Sequence, residues 1–338
     1  MTLTILVTGC AGLIGSKFCD WLLTEKKTHD SHDIKVIGID DLSGGYTDNI
    51  NPDVIFYNQN LSEYDRVDEI FKKHPIDYIW HFAAYAAEGL SPFIRKFNYN
   101  NNLLVTAHLV NLAIKCNIKR FVFTSSMAIY GNSDGVLPFS EKSPQIPIDP
   151  YGVAKLACEM DLKIANDQHG LDYCIIRPHN VYGDKQNIWD KYRNVLGIWM
   201  YQLLNNEKMT IYGDGSHSRA FSYIDDILEP LWNAGILEKA KNQEINLGGI
   251  RNITLNEAAQ TLIKVVGRGE IEYLEPRHEV KHAWCTFQKS SDLLDFSMKT
   301  ELHEGLTNMW KWVQTQPARD RKQWESYELD IGLYGYWK

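Results

Sequence analysis

The sequence has 338 residues, of which 44% are hydrophobic, and a formal net charge of -8. A chain of this size can bury a substantial core, and its negative charge argues against nucleic acid as a partner, because phosphate backbones are bound by basic surfaces. It has no run of about 18 apolar residues, which argues against a membrane protein. The first residues suggest a strand, a turn and a helix rather than a targeting segment, so a cytoplasmic protein is expected.

Short β-branched segments alternate with longer helical patterns through the first half of the chain. Strands are predicted at 5–7, 35–40, 54–57, 78–82, 120–126 and 173–177, and helices at 16–24, 66–73, 98–116 and 151–169. This alternation predicts an α/β fold with a Rossmann-like, doubly wound parallel sheet over residues 1–177. Residues 178–338, with a helix at 255–266, predict a smaller C-terminal α/β lobe, and the chain is expected to pass between the two.

The cysteines and the C-terminus carry weaker signals. The six cysteines are scattered without a C-x-x-C pair, which predicts buried free thiols and no metal site. Residues 319–338 contain several aromatic side chains, so we expect this segment to pack on the body of the protein.

A glycine-rich turn, G-C-A-G-L-I-G at residues 9–15, separates the first strand from the first helix. Gly9, Gly12 and Gly15 would let the backbone approach a pyrophosphate at the start of that helix. Asp40 ends the second predicted strand, where a carboxylate accepts the hydroxyls of an adenosine ribose and repels a 2′-phosphate. With Asp41 beside it and no flanking basic residue, the pattern favours NAD over NADP.

The segment Y-G-V-A-K places Tyr151 and Lys155 four residues apart on one helical face. The ammonium group is expected to lower the pKa of the phenol, so that Tyr151 can take a proton from a sugar hydroxyl. Ser126 ends an earlier strand, where its hydroxyl can bind the reacting oxygen.

Taken with H-F-A-A at 81–84 and R-P-H-N-V-Y-G at 177–183, these motifs resemble the extended short-chain dehydrogenase/reductase family, in particular its NAD-dependent nucleotide-sugar epimerases and dehydratases. The resemblance implies tightly held NAD, a nucleoside diphosphate sugar in the C-terminal lobe, and a catalytic set of Ser126, Tyr151 and Lys155. The residues it implies for NAD are Gly9, Gly12, Leu13, Ile14, Gly15, Asp40, Asp41, Asn60, Leu61, Phe82, Ala83, Ala84, Asn102, Tyr151, Lys155 and Pro178. Many relatives have Asp where Asn60 stands, so its amide oxygen would have to accept the adenine amino group.

The same resemblance supplies a substrate site. Asn180, Arg219 and Arg277 are expected at the diphosphate, which guanidinium groups bind in bidentate fashion. Tyr212 is expected beside the uracil, and Arg193 and Asn194 near the nucleotide or sugar. The full set implied for the substrate is Glu88, Ser126, Met127, Tyr151, Asn180, Asn194, Tyr212, Arg219, Arg277 and Trp284.

The residues after Ser126 bear on the type of reaction. The related dehydratases, decarboxylases and 3,5-epimerases carry an acid, a base or a cysteine in this segment, whereas here Met127 and Ala128 can move no proton. The pattern therefore favours a 4-epimerase, and the resemblance to the UDP-glucose 4-epimerases implies a UDP-hexose as its substrate. Glu88 can bind a sugar hydroxyl, act as a second base in a dehydratase or C5-epimerase, or be a solvated loop acid. A UDP-uronate or UDP-pentose epimerase is a further alternative. A binding protein without catalysis is the remaining alternative.

Two further expectations rest on the resemblance. The helices at 98–116 and 151–169 pair across a twofold axis in many relatives, and both carry apolar residues beyond one face, so a homodimer is expected. Trp284 aligns with the position that limits the size of the C2 substituent of the sugar, which predicts exclusion of N-acetyl sugars. A shift in register of one residue would place Cys285 there instead.

Overall fold

The computed structural model describes residues 2–132 and 136–337. Its strands are β1 (Thr2–Thr8), β2 (Thr28–His29), β3 (His32–Asp40), β4 (Ile55–Asn58), β5 (Tyr78–His81), β6 (Arg120–Thr124), β7 (Tyr173–Pro178), β8 (Val181–Tyr182), β9 (Met209–Tyr212), β10 (Ser218–Arg219), β11 (Ser222–Tyr223), β12 (Gln243–Leu247), β13 (Ile253–Thr254), β14 (Ile271–Leu274) and β15 (His282–Ala283). The helices are α1 (Leu13–Glu25), α2 (Tyr64–Lys73), α3 (Arg95–Tyr99), α4 (Val105–Lys115), α5 (Pro150–His169), α6 (Val195–Leu204), α7 (Ile224–Ile236), α8 (Leu255–Val266), α9 (Gln288–Leu294) and α10 (Leu302–Val313).

The main sheet has the order β12-β7-β6-β5-β1-β3-β2, and β4 also pairs with β3. All its pairings are parallel except the short hairpin of β2 and β3. The doubly wound parallel sheet that the sequence predicts is therefore confirmed, as are the predicted strands and helices. One long helical segment, α3 and α4 joined by a π-helical stretch at Asn100–Leu104, replaces the uniform helix predicted at 98–116.

The sequence did not predict the last strand of this sheet. β12 lies far along the chain, yet it pairs in parallel with β7 and places Ile245 beside Ile176. Helix α7, which precedes β12, packs on β6 and β7 and on α1. Residues from beyond 178 therefore complete the main sheet.

Alternating side chains divide the main sheet between two apolar layers. Ile5 and Val7 of β1 pack with Phe18 of α1, whereas Leu6 between them packs with Leu109 and Leu162 of α4 and α5. This period of two is what a strand buried on both faces produces. The first layer continues without interruption into α6, α8 and α10, so both lobes share one core.

The residues after α10 run back over the body of the protein, as the sequence predicts. Trp324, Tyr327, Tyr334 and Trp337 pack against the cluster around Tyr85 and Phe93. Five cysteines are buried, but Cys116 is exposed because it follows the last turn of α4. Among the described helices, none combines the length and apolarity needed to cross a membrane.

Candidate active site

A cavity of about 340 Å³ lies at the carboxyl ends of β1, β3, β5 and β6, where doubly wound sheets bind their ligands. Most of the residues that the sequence assigns to NAD or substrate line it: Gly9, Gly12, Leu13, Ile14, Gly15, Asp40, Asp41, Asn60, Leu61, Phe82, Ala83, Ala84, Glu88, Ser126, Met127, Tyr151, Lys155, Pro178, Asn180 and Asn194. Five assigned residues do not: Asn102, Tyr212, Arg219, Arg277 and Trp284.

The glycine-rich turn is packed so tightly that side chains cannot replace its hydrogens. A Cβ added to Gly9 would lie 2.8 Å from the backbone nitrogen of Ala83, and one added to Gly15 would lie 2.2 Å from the carbonyl oxygen of Gly9. Gly9 also has a φ of 71°, which favours glycine. Helix α1 begins at Leu13 without a side-chain cap, so its first N–H groups remain available to an anion. The turn therefore fits the pyrophosphate of NAD.

Asp40 is fixed at the end of β3 by backbone N–H groups. Its carboxylate accepts hydrogen bonds from the N–H of Ala11 (3.0 Å) and of Leu42 (2.8 Å). Burial raises the pKa of Asp40. Each carboxylate oxygen keeps a second lone pair for a ribose hydroxyl, so this side chain also fits NAD.

Asn60, whose amide oxygen is expected to accept the adenine amino group, already has hydrogen-bond partners in the structure. Its Oδ1 accepts hydrogen bonds from the backbone N–H (2.8 Å) and the hydroxyl (2.6 Å) of Ser62, and its Nδ2 donates to Asp41 (2.7 Å). The expected acceptor for an adenine amino group is therefore committed within the loop.

Asn102 is likewise displaced from the cavity. It is buried behind the loop after β5, where its Oδ1 accepts from the N–H of Tyr85 (2.9 Å) and its Nδ2 donates to Asn98 (2.8 Å). It supports the cavity wall, and Asn101 lines the cavity in its place.

The three candidate catalytic residues converge in the cavity. Tyr151 lies in the first turn of α5 and lines the cavity together with Ser126. Lys155 lies one turn later, with its ammonium group 5.8 Å from the centre of the Tyr151 ring. The same ammonium donates to the carbonyl oxygen of Thr124 at the end of β6 (2.7 Å). Helix α5 and strand β6 thus hold the set together.

The expectation that Lys155 lowers the pKa of Tyr151 is wrong for the chain alone. Burial raises the pKa of Tyr151, and the charge of Glu88 raises it further, against a smaller lowering by the Ser126 hydrogen bond. The pKa of Lys155 itself is lowered to about 8, chiefly by burial. The phenol is therefore neutral in the free chain and can donate a proton.

A second carboxyl group lies beside Tyr151. Asp149 caps α5 by accepting a hydrogen bond from the N–H of Gly152 (2.8 Å), and its pKa is raised to about 7 by burial and then by the charge of Glu88. An aspartate ionises near pH 4 in an unfolded chain. The folded state therefore binds more protons than the unfolded state between about pH 4 and 7, and the stability due to this group is lost as the pH rises through that window.

We expect Asp149→Asn to raise the melting temperature at pH 8, because asparagine keeps the capping oxygen without the buried charge. The gain should shrink as the pH is lowered below about 7, and it should be clearly smaller at pH 5 than at pH 8. Thermal unfolding at both pH values checks this, with the exposed Asp320→Asn as the control. A gain that does not change with pH would contradict the assignment.

The two arginines assigned to the substrate diphosphate lie together but outside the cavity. Glu279 approaches the guanidinium groups of Arg277 (3.2 Å) and Arg219 (3.7 Å). Arg219 also donates to the carbonyl oxygens of Ser218 (2.9 Å) and Lys281 (3.1 Å), and Arg277 lies 4.4 Å from the centre of the Tyr212 ring. No motif in the sequence indicated that Glu279 would contact both arginines.

Trp284 does not line the cavity, which corrects the expected role in limiting the size of the sugar. Its neighbours Ala283 and Cys285 instead pack in the cluster that includes Met127, a residue that does line the cavity. Cys285 contacts Met127 (2.8 Å between the two sulfur atoms), but it does not line the cavity either. The expected exclusion of N-acetyl sugars therefore rests on the resemblance alone.

An ion pair lies behind the catalytic set. Arg177 at the end of β7 and Glu159 of α5 are fully buried, and Arg177 binds both carboxylate oxygens (3.0 and 2.6 Å) and the hydroxyl of Tyr130 (2.7 Å). Ser125, next to Ser126, donates to the same carboxylate. This network joins α5, which carries Tyr151, to β7 and to the loop after β6, which carries Ser126.

The sequence profile of the NAD dependent epimerase/dehydratase family matches residues 5–248. A solved UDP-glucose 4-epimerase of Thermotoga maritima with UDP-glucose is 32% identical, with a TM-score of 0.86 over 92% of this chain and 99% of its own. A UDP-glucuronic acid 4-epimerase of Bacillus cereus, solved with UDP-glucuronic acid and NAD, is 27% identical, with a TM-score of 0.82 over 92% and 99%. A UDP-N-acetylglucosamine 4-epimerase of Methanobrevibacter ruminantium is 30% identical, with a TM-score of 0.84 over 94% and 100%.

Proposed function

Because this chain belongs to the NAD-dependent epimerase/dehydratase family, we propose that it inverts C4 of a UDP-hexose, with UDP-glucose and UDP-galactose as the pair. The observation that carries the proposal is the segment after Ser126. Met127 lines the cavity beside Tyr151, and neither it nor Ala128 can act as an acid or a base. The site therefore has Tyr151 to move the proton during oxidation and reduction at one hydroxyl. The segment after Ser126 has no acid or base for elimination or decarboxylation.

Each catalytic side chain then has one task. In its ionised form, which the positive charge of Lys155 stabilises when substrate and NAD are bound, Tyr151 takes the proton of the C4 hydroxyl and later returns it. The hydroxyl of Ser126 holds the reacting oxygen beside it. Lys155, anchored on Thr124, keeps a positive charge near the phenol and binds the nicotinamide ribose. NAD, when bound, supplies the hydride acceptor and donor. The NAD is held mainly by residues 1–177 and the sugar nucleotide mainly by residues 178–338.

Conversion of UDP-galactose to UDP-glucose by the purified protein tests this proposal. A panel of UDP-, dTDP- and GDP-sugars, including UDP-N-acetylglucosamine, would identify the base and sugar that are accepted once the products are resolved by chromatography. No conversion of any UDP-hexose, with NAD bound, would contradict the proposal.

Glu88 is the residue on which a second route depends. Its side chain lines the cavity, and its charge acts on Tyr151, Asp149 and Arg219. As a base it would support a dehydratase or a C5-epimerase, whereas as a fixed charge it would repel the carboxylate of a uronic acid. The exposed position of Glu88 favours the second reading, so we expect neutral hexoses to be preferred over UDP-glucuronate.

We expect Glu88→Gln to raise the ratio of UDP-glucuronate to UDP-glucose turnover on the order of tenfold, because a like charge is removed. Turnover of UDP-glucose should change little. The relative kcat/KM values measure both effects, with the exposed Glu325→Gln as the control. A loss of UDP-glucose turnover of a hundredfold or more would instead identify Glu88 as a base.

We also propose a homodimer built on α5 and on the helical segment of α3, the π-helical stretch and α4. Four apolar side chains on these segments are exposed in the single chain: Leu104, Val153, Met160 and Ile164. Exposed apolar groups on neighbouring helices suit a second copy of the same surface. Light scattering that gave only the monomer mass of 38.9 kDa at micromolar concentration would contradict the dimer.

A further inference from the structure

Arg193 extends from the loop before α6 to the loop after β3. A Cβ added to Gly44 would lie 2.7 Å from both Nη1 and Nη2 of Arg193, so the guanidinium rests directly on the Gly44 backbone. The next residue, Gly45, packs on Ala11 of the glycine-rich turn, and the N–H of Tyr46 donates to the carbonyl of Ala11 (3.2 Å). The guanidinium therefore lies beside the turn that fits the pyrophosphate.

This side chain is held in place by its neighbours. Its Nε lies 3.0 Å from Oδ2 of Asp190, whose side chain is fully buried, and its guanidinium carbon lies 4.2 Å from the centre of the Tyr85 ring. The Tyr85 hydroxyl donates to the same carboxylate (3.3 Å). A guanidinium fixed by a carboxylate and an aromatic face loses little conformational entropy when it binds an anion.

The charged side chains around the cavity show which cation is available to a bound diphosphate. Among the described residues that line the cavity, those with a lysine or arginine side chain are Lys155 and Arg193. Lys155 is committed to Thr124 beside Tyr151, and the lining histidine, His179, has a pKa lowered to about 4 by burial. Asp40, Asp41 and Glu88 add negative charge. A diphosphate at the glycine-rich turn thus finds its cationic side chain in Arg193.

We propose that Arg193 binds the diphosphate of NAD rather than the sugar nucleotide. Residues after β7 thereby contribute a contact to NAD, which is otherwise bound mainly by residues that precede β7. Retention of NAD then depends on one guanidinium from outside residues 1–177. The inference concerns cofactor binding and does not depend on which sugar is the substrate.

The experiment compares NAD retention by the holoprotein and its variants. Arg193→Met should release NAD about tenfold to a hundredfold faster during dialysis, since charge-assisted hydrogen bonds are lost, and Arg193→Lys should fall between it and the wild type. Lys191→Met is the matched control, because it removes a nearby charge that does not line the cavity. The Kd for UDP, from calorimetry, should change less than about threefold.

Arg193→Met leaves the Asp190 carboxylate without its counter-charge, which could itself disturb folding. A second variant therefore tests the same contact without removing the charge. Gly44→Ala displaces the guanidinium while leaving both its charge and its ion pair, and it should also speed NAD release. Combined with Arg193→Met, it should add little to the single change, because both act on the same contact. Unchanged NAD retention in Arg193→Met overturns the proposal, and so does a loss of UDP affinity with NAD retained.

Discussion

Tyr151→Phe is expected to lower kcat by a factor of about 10² to 10⁴, the range over which a positioned acid–base group acts. The substitution removes only the hydroxyl of Tyr151, which lines the cavity together with Ser126. The ring is buried in the first turn of α5, and phenylalanine fills the same volume. NAD content and affinity for UDP should therefore stay near those of the wild type.

Steady-state turnover of UDP-galactose measures the effect. The exposed Tyr273→Phe, on β14 outside the cavity, is the matched control and should leave turnover unchanged. A Tyr151→Phe protein that kept more than a tenth of wild-type kcat would show that another group moves the proton, and Glu88 would be the first to examine.

Arg177→Met is expected to cost about 3 to 5 kcal/mol of the free energy of unfolding, because it leaves the Glu159 carboxylate buried without its counter-charge. Arg177 is fully buried and also donates to Tyr130, which loses a partner as well. A cost of this size is a large part of the stability of an ordinary domain. Urea unfolding, at one fixed NAD concentration because bound ligand adds stability, provides the measurement.

The double variant Glu159→Met and Arg177→Met tests the cause. It removes the stranded charge, so it should be more stable than Arg177→Met alone. A double variant that is less stable than the single one would mean that packing, rather than an unpaired charge, sets the cost.

The sequence predicted the parts of the site whose signals are local. Gly9, Gly12 and Gly15 form the expected turn, Asp40 ends its strand, and Ser126, Tyr151 and Lys155 meet in one cavity. Each of these depends on a short motif at a strand end or on one helical face, where spacing alone fixes the geometry.

The errors arose where the geometry depends on distant parts of the chain. Asn102 lies one residue away from Asn101, which lines the cavity, and only the packing of the helix against Tyr85 decides between them. Trp284 follows a strand of two residues, where no apolar alternation fixes the register. The sequence places Arg193 near the nucleotide or sugar, whereas the proposed contact with the NAD diphosphate depends on its position beside Gly44, far earlier in the sequence.

The most direct test of the central proposal is the conversion of UDP-galactose in deuterium oxide, with the product examined by NMR and mass spectrometry. If Tyr151 and NAD move only the hydrogens of one carbinol, UDP-glucose will form with no deuterium on carbon. Failure to form UDP-glucose, loss of water from the sugar, or deuterium at C5 would contradict a simple C4 inversion.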